Sequence, residues 1–430
     1  MTEELRQCER GAETVRGGLL RRHRDFRMLW TGETMRAFGA SVTGLVLPLA
    51  AVSALDADAF TVSLLNAAGW LPWLIIGLPV GAWVDRMRRR PVMLACDAIC
   101  LVLFTSVPAA AWLGLLGLGQ LMAVALVTGT AAVFFETAYV AYLPTLLAPR
   151  DRVEGTAKLH GSDSAAQLVG VGSGGLVAQF AGAVGGLLVN SVTFLVSLVC
   201  VARIRVREPL PEPVERVRGA LLREVGEGLR LVVRDPYLRS FTLFGAAANL
   251  FLTAYQSIVV VFLVRDIGLP SGTIGAISSI GGIGGVLGTL VVRRTADRIG
   301  TGRALLLFEL GLLSLAPLIA LTAPGPGLVL YIVGSAAVGT GIVAGNVIKS
   351  GFIQRYCPAD VLGRVTASSA FLNYGTMPLG ALVGGALGTA LGLRPALLAL
   401  TVLLPLSALI LLFSPIRARR DLPDSVLRTV

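Results

Sequence analysis

Charge is scarce in these 430 residues: 15% are charged, against 54% hydrophobic. A soluble chain covers its surface with roughly 25% charged residues, so this composition excludes a water-soluble globular protein. Histidine occurs only at His23 and His160, too few for a histidine metal site within a membrane. No Gly-x-x-x-x-Gly-Lys phosphate loop occurs, and no sizeable soluble segment could hold one, which argues against ATP hydrolysis by this chain alone. The five cysteines (Cys8, Cys96, Cys100, Cys200, Cys357) have neither disulfide-framework nor metal-ligand spacing. Nothing pairs a nucleophile with its base, so an enzyme is not expected. Nor is a cofactor.

What the chain has is hydrophobic length. Mean hydropathy is +0.76, and apolar runs long enough to cross about 30 Å of hydrocarbon recur throughout. Twelve transmembrane helices are expected, at residues 29–54, 60–84, 92–114, 120–147, 159–181, 183–202, 238–264, 272–292, 303–322, 328–353, 364–390 and 393–415. They are called spans 1 to 12 below. Glycine is plentiful, with 51 residues, and runs such as Gly281-Gly282-Ile283-Gly284-Gly285 suit close helix packing in lipid. The net charge of +11 invites a nucleic-acid reading, but its distribution does not support one. With both termini in the cytoplasm, Lys and Arg fall overwhelmingly on the cytoplasmic side. Arg265 and Arg394 lie on the opposite face, and Arg36 and Lys349 lie within spans. Residues 1–27 are polar and Arg-rich and lead into a full span, so no cleavable signal is expected. The expectation is an all-α, multi-pass protein of the bacterial cytoplasmic membrane, working as a monomer in a lipid bilayer without nucleic acid.

The longest polar interruption, residues 203–237, carries Pro209, Pro211 and Pro213 and then an amphipathic stretch from Arg216 to Val233. It separates a cytoplasmic segment (1–28) and a six-helix bundle (29–202) from a second bundle (238–415) and a cytoplasmic tail (416–430). The halves share weak internal similarity. Asp85-Arg86 after span 2 is echoed by Asp297-Arg298 after span 8, and Pro149-x-Asp151 after span 4 by Pro358-x-Asp360 after span 10.

The stretch Gly81-x-x-x-Asp85-Arg86-x-x-Arg89-Arg90 resembles the first signature loop of the major facilitator superfamily, with Arg88 where glycine is usual. Phe134-Phe135-Glu136-Thr-Ala138-Tyr139, Arg234-Asp235-Pro236-Tyr237 and Leu362-Gly363-Arg364-Val365 resemble the branch holding macrolide-efflux proteins and the enterobactin exporter. The resemblance implies two six-helix bundles with pseudo-two-fold symmetry, a cavity lined by spans 1, 4, 7 and 10, and efflux of a small molecule. The antiporter-type motif of span 5 reads Gly170-Val171-Gly172-Ser173-Gly174-Gly175, with Val171 where proline is usual. Span 4 lacks the embedded arginine of many proton-linked drug antiporters.

An ionisable group inside a span is costly and is a functional candidate by default. Glu136 lies roughly 15 Å deep on span 4, at 1.5 Å per residue, and is the first proton-coupling candidate. Asp163 on span 5 is the second, with helix capping as its alternative role. Arg36 on span 1 shares a helix face with Glu33 and pairs either with Glu33 or with Glu136. Gln167, Asn249, Gln256, Asn346 and Lys349 complete the cavity candidates. Lys349 and Glu309 are close enough to the cytoplasm to snorkel, and Asn249 and Gln256 bond between helices if they do not face the cavity. Gly81, Asp85, Arg86, Arg89 and Arg90 form a candidate conformational latch onto a neighbouring helix terminus. Asp97 is placed behind it, within reach of Arg89 or Arg90.

The expected function is secondary active export of an amphiphilic small molecule by alternating access, driven by a proton gradient. Export of a self-made metabolite or siderophore is the alternative within that class. A non-transporting membrane sensor or scaffold is the alternative outside it.

Overall fold

The computed structural model describes residues 18–206, 208 and 220–423. Cys8, the proline run at 209–213, residues 216–219 of the amphipathic stretch and the two ends of the chain lie outside the described residues. Among the described residues, ten helices are long and apolar enough to cross a membrane, and two more spans complete the count. Pro149–Ala202 is 54 residues long, roughly 80 Å at 1.5 Å per residue and far too long for one hydrocarbon layer. Gly182 breaks it with φ 76° and ψ 156°, giving span 5 (149–181) and span 6 (183–202). Span 11 is the 33-residue helix Ala359–Leu391. The others are Arg24–Leu55, Ala59–Val84, Arg89–Trp112 and Leu118–Leu146 in the first half. Pro236–Arg265, Ser271–Ile299, Thr301–Ile319, Leu328–Tyr356 and Leu393–Leu412 belong to the second.

Several helices overrun the expected limits. Span 1 begins at Arg24 rather than 29, and span 8 continues to Ile299 rather than 292. Hydropathy marks only the hydrocarbon layer, whereas a hydrogen-bonded helix continues past it into water. Side-chain caps fix the starts of spans 2 and 7. The Asp58 carboxylate accepts from Thr61 N at 2.9 Å ahead of span 2, and Asp235 accepts from Tyr237 N and Leu238 N ahead of span 7.

The two halves pack alike. Span 1 lies on spans 5 and 6, span 2 on 4, and span 3 on 4 and 6. In the second half, span 7 lies on 11 and 12, span 8 on 10, and span 9 on 10 and 12. The single-residue breaks between spans 5 and 6 (Gly182, φ 76°) and between spans 11 and 12 (Gly392, φ 87°) fall at matching places in the two halves. Both need glycine, because a Cβ is strained at positive φ. Across the halves, span 2 meets span 11 and span 5 meets span 8, as pseudo-two-fold symmetry requires.

These cross-half contacts concentrate on the side away from the termini. A Cβ on Gly175 would stand 2.6 Å from the Gly275 Cα, so spans 5 and 8 touch backbone to backbone there. Ser279 Oγ donates to the Leu168 carbonyl at 3.0 Å, and Ser63 Oγ to Ser257 Oγ at 3.1 Å. At the rim, Arg265 reaches Asp56 Oδ1 at 2.7 Å and the Asp56 and Ala57 carbonyls. On the termini side, Gly81 of span 2, Gly161 of span 5 and Gly363 of span 11 have nothing within 4 Å of an added Cβ. The molecule is sealed on the far side and parted on the termini side.

The linker helix Ala220–Arg234 belongs to the second half. Arg364 Nη1 meets Glu227 Oε2 at 2.7 Å, and Tyr356 Oη donates to Asp235 Oδ2 at 2.7 Å.

Candidate transport cavity and charge cluster

Span 1 carries Arg36 into the interior of the first half. Its Nη1 lies 3.3 Å from Asp97 Oδ1 on span 3, and its Nε lies 3.7 Å from Glu33 Oε2. The guanidinium also sits 3.4 Å above the centre of the Phe135 ring, a desolvated cation–π contact. Asp97 is fully buried and takes a second hydrogen bond, 2.6 Å long, from Ser197 Oγ on span 6. One expectation is corrected here, and one of two alternatives is decided. Asp97 is held by Arg36 and Ser197, not by Arg89 or Arg90, because it lies two helical turns deeper than they do. Arg36 is pinned between Glu33 and Asp97 and makes no ion pair with Glu136.

Glu136 is exposed, without an ion pair or hydrogen bond among the described residues. Arg36, Asp163 and His160 lie within its electrostatic reach. So does Tyr374 of span 11, in the opposite half. Glu136 therefore faces the gap between the halves. Asp163 accepts from Gln167 Nε2 at 2.9 Å one turn away, which joins those two candidates. Glu33 feels Arg36, Glu136, Asp97 and Asp163. Three carboxylates, Glu33, Asp97 and Glu136, thus lie within reach of one interior arginine.

Beside this cluster lies a cavity of about 330 Å³ among spans 1, 2, 3, 4 and 6, within the size range of small-molecule sites. Arg36, Asn66 and Asn190 supply its polar groups, and Trp70, Trp73, Phe104 and Phe194 its aromatic faces. The Thr43 hydroxyl also lines it and is buried without a partner. Ala132 lines the same cavity and is one helical turn from Glu136. Across the halves, Trp70 stacks on Tyr374 with ring centres 6.4 Å apart, and Trp73 meets the same ring tilted at 5.2 Å. Sequence reasoning missed these aromatics and Thr43. The pair Trp70-x-x-Trp73 was the available signal, since three residues apart means one helix face.

In the signature loop, Arg89 and Arg90 work within their own half. The Glu208 carboxylate accepts from Arg89 N at 2.8 Å and Arg90 N at 3.3 Å, and pairs with Arg89 Nη1 at 3.2 Å. It thereby covers the positive end of span 3. Arg90 donates to the Val201 and Ala202 carbonyls at the end of span 6. Gly81, Asp85 and Arg86 lie on the parted side. Among the described residues no hydrogen bond or ion pair links Asp85 or Arg86 to the other half.

In the second half, Glu309 and Lys349 do not snorkel. Glu309 is buried, and Lys349 Nζ stands 3.3 Å from its Oε1 and 4.9 Å over the Phe244 ring. The helix ends lie too far away, and Gly345 opposite Glu309 leaves room for the pair inside. Asn346 lines a smaller pocket with Lys349. Gln256 is exposed and Asn249 half-buried on span 7, and no hydrogen bond joins either to another helix among the described residues.

Comparison with known proteins agrees with this architecture. The chain is 27% identical over 378 residues to the multidrug efflux pump Tap of Mycolicibacterium fortuitum, covering 86% of this chain and 90% of that one. It is 21% identical over 380 residues to macrolide efflux protein A of Streptococcus pyogenes, again covering 86% and 90%. The fold superposes on a single-residue mutant of the nucleoside transporter NupG with a TM-score of 0.75 at 13% identity, covering 90% of this chain and 99% of that one. The Major Facilitator Superfamily profile matches residues 29–378. With its twelve spans in two like halves, this chain belongs to the Major Facilitator Superfamily.

Proposed function

We propose that the chain is a proton-driven exporter of a bulky amphiphilic small molecule, working as a monomer in the bacterial cytoplasmic membrane and catalysing no reaction. One observation carries the reading: the aromatic cavity of about 330 Å³ adjoins a cluster of carboxylates that outnumber their one arginine. An apolar body fits against Trp70, Trp73 and Tyr374, while a proton or a cationic group is attracted by Glu136, Glu33 and Asp163. Efflux by the named relatives supports the outward direction of transport.

The sealed far side and parted termini side correspond to an inward-open state. There Glu136 is wetted from the cytoplasm and exchanges its proton with it, and substrate enters from the same side. Rocking of the halves would break the contacts of spans 5 with 8 and 2 with 11 on the far side. It would bring Asp85 and Arg86 against the second half on the cytoplasmic side. Glu136 then meets the outside, binds a proton and releases the substrate.

The test is energised efflux of a fluorescent amphiphile panel from cells expressing the protein or an empty vector, with and without a protonophore. Export above the vector that collapses with the protonophore supports the proposal. Export that survives the protonophore refutes proton drive, and no export of any panel member refutes broad amphiphile efflux.

A further inference from the structure

Span 9 is not a regular α-helix. Residues Leu307–Leu312 form a π-helix and Leu313–Ile319 a 3-10 helix. Single π-turns inside spans recur at functional sites, and this one holds Glu309. The carboxylate lies 212 positions after Asp97, so each half buries one acid on its third span against a cation from another helix. The two pairs differ in satisfaction. Arg36 and Ser197 both hydrogen-bond Asp97, whereas Glu309 Oε1 has no hydrogen-bond partner although Lys349 is 3.3 Å away.

Lys349 also faces a second pocket of about 150 Å³ between spans 7, 10 and 11, with Asn346, Ser350, Thr242, Ser369 and Asn373. Asn373 Oδ1 is buried there with no partner. Thr242 and Ser369 satisfy each other at 3.0 Å, but the ammonium has three donors and its contacts leave donors free. The pocket therefore offers an unused donor and an unused acceptor. A drug-sized site begins at about 300 Å³, so this one holds a head group and not a whole molecule. Lys349 is the only charged group in reach of Glu309 among the described residues, and together they are neutral. A full charge brought into the pocket would stand uncompensated against that pair.

We propose that this pocket is a head-group subsite for an uncharged group bearing both a hydrogen-bond donor and an acceptor: a hydroxyl, a primary amide or a sugar edge. Lys349 donates to its oxygen and Asn373 Oδ1 accepts from its hydrogen, while Glu309 holds the ammonium in place. This rests on the export reading for its biological use, but not for its test.

Ser350 lines the pocket and is exposed, so Ser350→Cys in the full-length, lipid-reconstituted protein reports occupancy through its alkylation rate with a maleimide. The probes are dansylated alkyl chains ending in a primary carboxamide, a carboxylate, a trimethylammonium or a methyl group. The carboxamide probe slows alkylation about tenfold, the worth of one or two well-placed hydrogen bonds, and the other three do not. Asn373→Leu abolishes the protection. So does Glu309→Gln with Lys349→Met, a double variant that leaves no buried charge and keeps the fold. Equal protection by all four heads, or none by the carboxamide, overturns the subsite and leaves export standing. Failure of energised efflux with selective protection intact overturns export and leaves the subsite.

Discussion

Arg36→Met is the most informative single perturbation of the first half. It leaves Asp97 fully buried with only Ser197 as partner. Stranding one member of a buried pair costs about 3–5 kcal/mol, and the stacked Phe135 ring loses its cation as well. For a cooperative unit of about 150–250 residues, the size of one half, each kcal/mol moves the melting temperature by about 2–4 °C, so a drop of about 6–20 °C is expected. Arg36→Met with Asp97→Asn removes both charges and keeps a hydrogen bond to Ser197. It should recover part of the loss, because the stranded Asp97 charge is gone, while Glu33, which also faces Arg36, still lacks its cation. Apparent melting temperatures in detergent for wild type, both single variants and the double variant give the coupling directly. A double variant that melts as low as Arg36→Met or lower would show that Arg36 is not there to neutralise Asp97.

Two further outcomes follow from the seal between the halves. Asp56→Ala removes an exposed ion pair with Arg265, worth at most about 1 kcal/mol. It should shift the far-side-closed population by no more than about fivefold, read as label-to-label distances between the outer ends of spans 1 and 7. Gly175→Leu drives a side chain into the Gly275 backbone and should abolish efflux at normal surface expression. Gly161→Ala, with open space around it, should leave efflux unchanged.

The twelve spans, their division six and six and the family were legible because they rest on hydropathy, charge bias and short local motifs. Glu136 stood out as a candidate for the same reason: a carboxylate in an apolar run stands out alone. Its surroundings did not, because partner choice depends on how helices rotate against one another. Glu33 and Arg36 are three residues apart and could be paired from spacing. Asp97 and Ser197 are about a hundred residues apart and come together only once spans 3 and 6 pack. The same limit hid the burial of Glu309, since Gly345 makes its room from another helix. The shared face of Trp70 and Trp73 was readable from their spacing, but their meeting with Tyr374 was not, because it spans both halves.

The central claim is that Glu136 couples proton entry to substrate exit, and the direct test is Glu136→Gln in proteoliposomes under an imposed proton gradient. The account predicts that uphill, gradient-driven transport is lost while downhill exchange of labelled for unlabelled substrate persists, because the cavity survives and only the proton carrier is gone. Uphill transport at the wild-type rate in Glu136→Gln would contradict it.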